Sequence, residues 1–142
     1  MAARSKARKR ALDILYEADI RSIPAEEVLM GQVERRRAAG EPALNEYVSV
    51  LVEGVREHRA RIDELIGTYA TGWSVERMPA VDRAILRIGA FEILWQQEIP
   101  PTVVIAEAVA LAQQLSTDAS APFVNGLLAR LVDLRPRLDL QA

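Results

Sequence analysis

Apolar residues recur along this chain at helical spacing, and nowhere do they alternate as they would in a half-buried strand. Ala7, Ala11, Ile14, Leu15 and Ala18 form one stripe, widened by Leu12 and Tyr16, which predicts a helix from about Arg4 to Arg21. Ser22-Ile23-Pro24 ends it, because a residue before proline avoids helical geometry. A second helix is expected just after Pro24, with Glu26 and Glu27 suited to its start and Val28, Leu29 and Val33 as apolar positions. It dissolves into Glu34-Arg35-Arg36-Arg37, ahead of a loop marked by Gly40 and Pro42. A third helix spans roughly Leu44 to Glu57, with Tyr47, Val48, Leu51 and Val55 on one face. A fourth runs from about Arg59 to Ala70 over Ile62, Leu65, Ile66 and Tyr69, and Thr71-Gly72-Trp73-Ser74 breaks it.

Met78-Pro79 opens the most apolar segment, which reaches about Gln97. Val81, Ile85, Ile88 and Trp95 line one face, and Ala84, Phe91 and Leu94 broaden it until most of the circumference is apolar, the mark of a central, buried helix. After Pro100-Pro101, Thr102 is positioned to cap a helix over Val103 to Leu115. The last helix begins near Ser120, read as its N-cap, with Pro122 in the first turn and Phe123, Leu127, Leu128 and Leu131 as its stripe. The expectation is an all-α domain of about seven helices.

Length and composition fit that reading: 142 residues make one domain, and half of them are hydrophobic. With aromatics at only 5%, the core must rest on Leu, Ile, Val and Ala. The absence of cysteine excludes disulfides, thiolate metal sites and a cysteine nucleophile. No secretory signal pattern and no apolar run of membrane-spanning length occur, so a cytoplasmic location is expected and no membrane partner.

Charge changes the picture more. The net charge is −2, but Arg4, Lys6, Arg8, Lys9 and Arg10 occupy one short stretch without an acid, leaving 13 of the 18 basic side chains to face all 20 acidic ones elsewhere. The core stripe becomes dense only from Ala11, so the first two turns are expected to project from the body. Positive charge at a helix N-terminus opposes the macrodipole. A locally unfavourable arrangement of this kind points to an external anion, and phosphates fit. A solvated tail explains the spacing equally well, while an anionic membrane surface fits less well without large apolar residues to insert. Tyr16, two turns on, is either a base-stacking group or a half-buried core tyrosine.

Enzymatic chemistry finds little support. The one histidine, His58, sits in the charged stretch Arg56-Glu57-His58-Arg59, no glycine-rich phosphate loop exists, and no histidine–carboxylate cluster has metal-ligand spacing. The chain is read as a non-enzyme without cofactor or metal. Glu92, among Phe91, Ile93, Leu94 and Trp95, needs a partner if buried, and Arg83 or Arg87 can turn to another element to meet a different acid. In Asn125-Gly126, Gly126 is read as allowing a close helix contact.

Three stretches together resemble the NusB family: Ala7-Arg8-Lys9-Arg10-Ala11-Leu12-Asp13-Ile14-Leu15-Tyr16; the block from Val81 to Leu94 with Ile99-Pro100 and Ile105-Ala106-Glu107-Ala108-Val109 behind it; and Phe123-Val124-Asn125-Gly126-Leu127-Leu128. They occur in the family's order, with compatible spacing, over nearly the whole chain. The resemblance implies two packed helical sub-bundles, here about 1–72 and 73–135, followed by a short tail. It implies an antitermination factor that binds the single-stranded boxA element of ribosomal RNA leader transcripts. The implied partners are NusE, a small-subunit ribosomal protein, and RNA polymerase in a complex with other Nus factors. It places RNA contacts on Arg4, Lys6 and Arg8 and at Tyr16 and Phe123, and a NusE contact on Asp82; Lys9 and Arg10 join the RNA set by charge alone. The chain departs from the family pattern at Ala106, Ala119 and Pro122, and the last two thin the polar and basic character of the second contact region. Monomer and homodimer both remain open. A helical protein-binding scaffold with an incidental basic tail is the alternative. An accessory domain of a ribosomal RNA methyltransferase is disfavoured, because no nucleotide-binding α/β pattern is present.

Overall fold

A computed structural model describes residues 3–140, and among them the chain forms six α-helices, two 3-10 turns and no strand. The helices are α1 (Ala3–Arg21), α2 (Ala25–Ala38), α3 (Glu46–Tyr69), α4 (Ala80–Trp95), α5 (Pro101–Leu115) and α6 (Ser120–Leu134). The all-α expectation holds, with six helices instead of about seven. The two helices expected on either side of residue 58 are one: Arg56-Glu57-His58-Arg59 contains no Gly or Pro, and long charged side chains propagate a helix. Arg59 pairs with Asp63 one turn on at 3.1 Å, adding local support.

The chain divides into two compact units, Met1–Glu57 and His58–Ala142, and the division falls within α3. The break near residue 72, where the sequence suggests a boundary, lies between α3 and α4.

In the first unit α1 packs against α2. α1 ends where Ser22 turns left-handed at φ 56°, with Ile23 N–H donating to Ala18 O and Ser22 N–H to Asp19 O. This is a Schellman end built without glycine. α2 ends in the same way with glycine in place: Gly40 has φ 70°, and the amides of Gly40 and Glu41 bond to the carbonyls of Arg37 and Arg36. The helix therefore does not dissolve at Glu34; its last turn holds Arg35, Arg36 and Arg37, where positive charge meets the negative end of the macrodipole.

In the second unit α4, α5 and α6 pack on one another. α4 is buried without interruption from Ala84 to Leu94, as its apolar circumference predicts. The close helix contact is made by Gly89 and not Gly126: a Cβ on Gly89 would lie 2.7 Å from Leu128 Cδ1, whereas one on Gly126 meets nothing within 4 Å. Arg87 turns to α3 as the sequence suggests, its fork bonding Asp63 through Nε–Oδ1 at 2.9 Å and Nη2–Oδ2 at 3.0 Å. Arg83 donates instead to the carbonyls of Val75 and Met78 at 2.9 and 3.2 Å, tying down the 3-10 turn Val75–Arg77. His58 is less solvated than its charged neighbours suggest. Its ring is half-buried and stacks on Trp95 with centroids 3.9 Å apart. α5 starts at Pro101, whose missing N–H costs nothing in the first turn, so Thr102 lies inside the helix and does not cap it.

Candidate nucleic-acid interface

The five cations of α1 separate by face. A helix turns 100° per residue, which puts Arg4 and Arg8 on one side and Lys6, Lys9 and Arg10 towards the other. Arg4 and Arg8 lie over the ring of Tyr47, at the start of α3, with guanidinium carbons 4.9 and 5.9 Å from its centroid. Arg4 remains exposed, while Arg8 is only 3% accessible beside buried Ala7. The expectation that the first two turns stand clear of the body is corrected on this side. A planar guanidinium stacked on an aromatic face buries more readily than an ammonium, and Tyr47 supplies that face.

The outward side differs. Lys6 and Arg10 are exposed, and no acidic partner faces either among the described residues. Lys9 is half-exposed and bonds both oxygens of Asp13 at 2.9 Å, a solvent-screened pair of small energetic weight. Tyr16 follows two turns on, 39% accessible, so it is a surface tyrosine and not a core one. Beyond it Glu17 pairs with Arg21 at 2.6 Å and closes the basic stretch.

Phe123 belongs to the second unit. It is half-buried at the start of α6, its ring centroid 6.3 Å from that of Trp73, which is 48% accessible. Phe123 also lines an open hollow of about 530 Å³, together with Tyr69, Gly126 and Arg130. Arg130 lies over the Tyr69 ring at 5.5 Å. A cation and aromatic faces around a concavity can take an unstacked base or a phosphate. Sequence reasoning named only Phe123 here. Trp73 stands in the sequence only as part of a helix break, although a large aromatic residue in a polar break is itself the signal that it is exposed.

Asp82, the residue expected to serve the NusE contact, lies in the first turn of α4. It is 4% accessible, and its carboxylate accepts hydrogen bonds from Ser116 Oγ at 2.5 Å and Ser120 Oγ at 2.7 Å. Ser120 also shares hydrogen bonds with Ser116 and Thr117, both at 2.9 Å. Asp82 thereby clamps the turn between α5 and α6, three residues before Phe123. Ser120 is the first residue of α6 and not its N-cap, because its hydroxyl is given to Asp82 and not to the helix's own amides.

None of these residues forms the pairing of nucleophile and base that covalent chemistry needs.

Known proteins resemble this chain over nearly its whole length. The model of the NusB family matches residues 5–133. The transcription antitermination protein NusB of Thermobifida fusca is 58% identical over 97% of this chain and 94% of its own. The solved NusB of T. maritima superposes with a TM-score of 0.82 at 28% identity, covering 94% of this chain and 92% of that one. A crystal structure of antitermination factors NusB and NusE in complex with double-stranded RNA gives 0.80 at 27% identity, over 94% and 98% of the two chains.

Proposed function

The chain belongs to the NusB family, and on that premise we propose that it binds the boxA element of ribosomal RNA leader transcripts and promotes read-through by RNA polymerase in ribosomal RNA operons. It acts in the cytoplasm with NusE and the other Nus factors, by positioning RNA and without covalent chemistry. Arg4, Lys6, Lys9 and Arg10 take phosphates, with Arg8 held beneath them on Tyr47. Tyr16 and Phe123, with Trp73 beside it, stack bases. Asp82 serves the partner surface from behind, by holding the turn between α5 and α6.

The observation that carries the reading is the exposure of Arg4, Lys6 and Arg10 at the start of α1, in a chain whose other charges are mostly acidic. The solved complex of a relative with NusE and RNA supports the choice of partners. The test is a gel shift of boxA-like single-stranded RNA with and without NusE, beside a scrambled RNA of the same composition. Preference for boxA that strengthens with NusE is expected. Equal binding of both RNAs, indifferent to NusE, contradicts the reading.

A further inference from the structure

We propose that the last turn of α2 is a second phosphate-binding surface, continuous with the start of α1, which takes the backbone of RNA flanking the element held by α1. The proposal rests on the RNA-binding reading above and extends it to residues that reading leaves unused.

Three arginines end α2, and the fold engages them unequally. Arg36 is committed: its Nε donates to Pro42 O at 2.8 Å, and its guanidinium lies 4.0 Å from Glu41. It braces the loop that leads to α3. Arg37 is exposed and pairs with Glu34 one turn back. An exposed pair of this kind is weak and readily exchanged for another anion. Arg35 is exposed, and no acid faces it among the described residues. Its Nη1 lies 3.4 Å from the place a Cβ on Gly31 would occupy, so the glycine leaves a clear track for the guanidinium along the helix surface.

The fold of the first unit brings this turn to the cations of α1. Arg4 and Arg8 lie over Tyr47, the second residue of α3. Residues 39–45 join the end of α2 to the start of α3, and Arg36 grips that loop at Pro42. α1 and α2 pack together. The start of α1, the end of α2 and the start of α3 therefore share one end of the unit, and eight of the chain's 18 basic residues sit there.

The chemistry favours an RNA backbone. Arginine forks match phosphate oxygens bidentately. The aromatic residue at this end, Tyr47, is buried, so nothing here stacks a base and the contact is indifferent to sequence. An acidic protein segment is the competing occupant.

The experiment compares the wild-type chain with the double variant Arg35→Gln/Arg37→Gln. Fluorescence anisotropy titrations use boxA RNA alone and boxA extended on both sides by unrelated sequence, at several salt concentrations. Wild type should bind the extended RNA more tightly and with a steeper salt dependence. The double variant should lose that gain and keep its affinity for the short RNA. Two phosphate contacts on single-stranded RNA make the slope steeper by about 1.4, or roughly sevenfold in affinity between 50 and 200 mM salt. Arg35→Lys/Arg37→Lys keeps the charge and should keep most of the slope. A double variant that retains the gain overturns the proposal, as does one that loses only binding of an acidic protein partner. A wild-type chain that binds neither RNA overturns the RNA reading and this proposal together; a loss confined to the extension effect speaks for both.

Discussion

Replacing Asp82 with alanine separates two roles for this carboxylate. If it clamps the turn between α5 and α6, the change removes hydrogen bonds from Ser116 and Ser120, at 2.5 and 2.7 Å, inside a nearly closed site. A hydrogen bond to a charged group contributes about 1.5–3 kcal/mol. The two bonds share one network, and Ser120 keeps Ser116 and Thr117 as alternatives. The combined loss is therefore smaller than their sum, about 2–4 kcal/mol. For a chain of this size that lowers the melting temperature by roughly 4 °C per kcal/mol, so by about 8–16 °C. Asp82→Asn, which keeps the shape and one accepting oxygen, should lose about half as much. The assay is urea unfolding followed by circular dichroism, with the midpoint falling and the slope unchanged, beside calorimetric titration of NusE into each variant at a temperature where all are folded. A surface contact predicts the opposite pattern. An unchanged unfolding midpoint with weakened NusE binding would refute the clamp.

Gly89→Ala should destabilise by about 1–3 kcal/mol, read by thermal unfolding, because its new methyl meets Leu128 Cδ1 at 2.7 Å and Leu128 is fully buried. Gly126→Ala has no such neighbour and should be neutral to slightly stabilising in the same assay. Asp63→Ala removes both fork hydrogen bonds from the buried Arg87 guanidinium and should cost about 2–4 kcal/mol in urea unfolding. Trp73→Ala should leave the unfolding midpoint in place and weaken RNA binding by about 1–3 kcal/mol, the weight of one stacked base, measured by anisotropy.

Much of the helical framework was legible because it rests on periodicity. The stripe from Ala7 to Ala18 and the apolar circumference of α4 each specify a helix and its buried face with little help from elsewhere. What was hidden depends on pairing across the chain. Gly89 and Gly126 are both glycines on apolar helices, and only the position of Leu128 tells which one touches. Arg8 looks like its basic neighbours until Tyr47, 39 residues away in sequence, covers it. Asp82 has the composition of a surface acid in the first turn of a helix, and two serines from the turn between α5 and α6 take it inside. The candidate site was half legible for the same reason. A run of cations is visible in one dimension, whereas the hollow beside Phe123 needs Tyr69 and Arg130 brought to it. The sequence marks the arginines of α2 as the end of a helix, and their relation to α1 appears only once the two helices pack.

The most direct test of the central claim is the salt dependence of boxA RNA binding by the wild-type chain and by Arg4→Gln/Lys6→Gln/Arg10→Gln. If these side chains hold phosphates, losing three contacts makes the slope shallower by about 2, so that the wild-type advantage at 50 mM salt shrinks by roughly 20-fold at 200 mM. Parallel salt curves for the two proteins would contradict the account, because the exposed start of α1 would then carry no RNA.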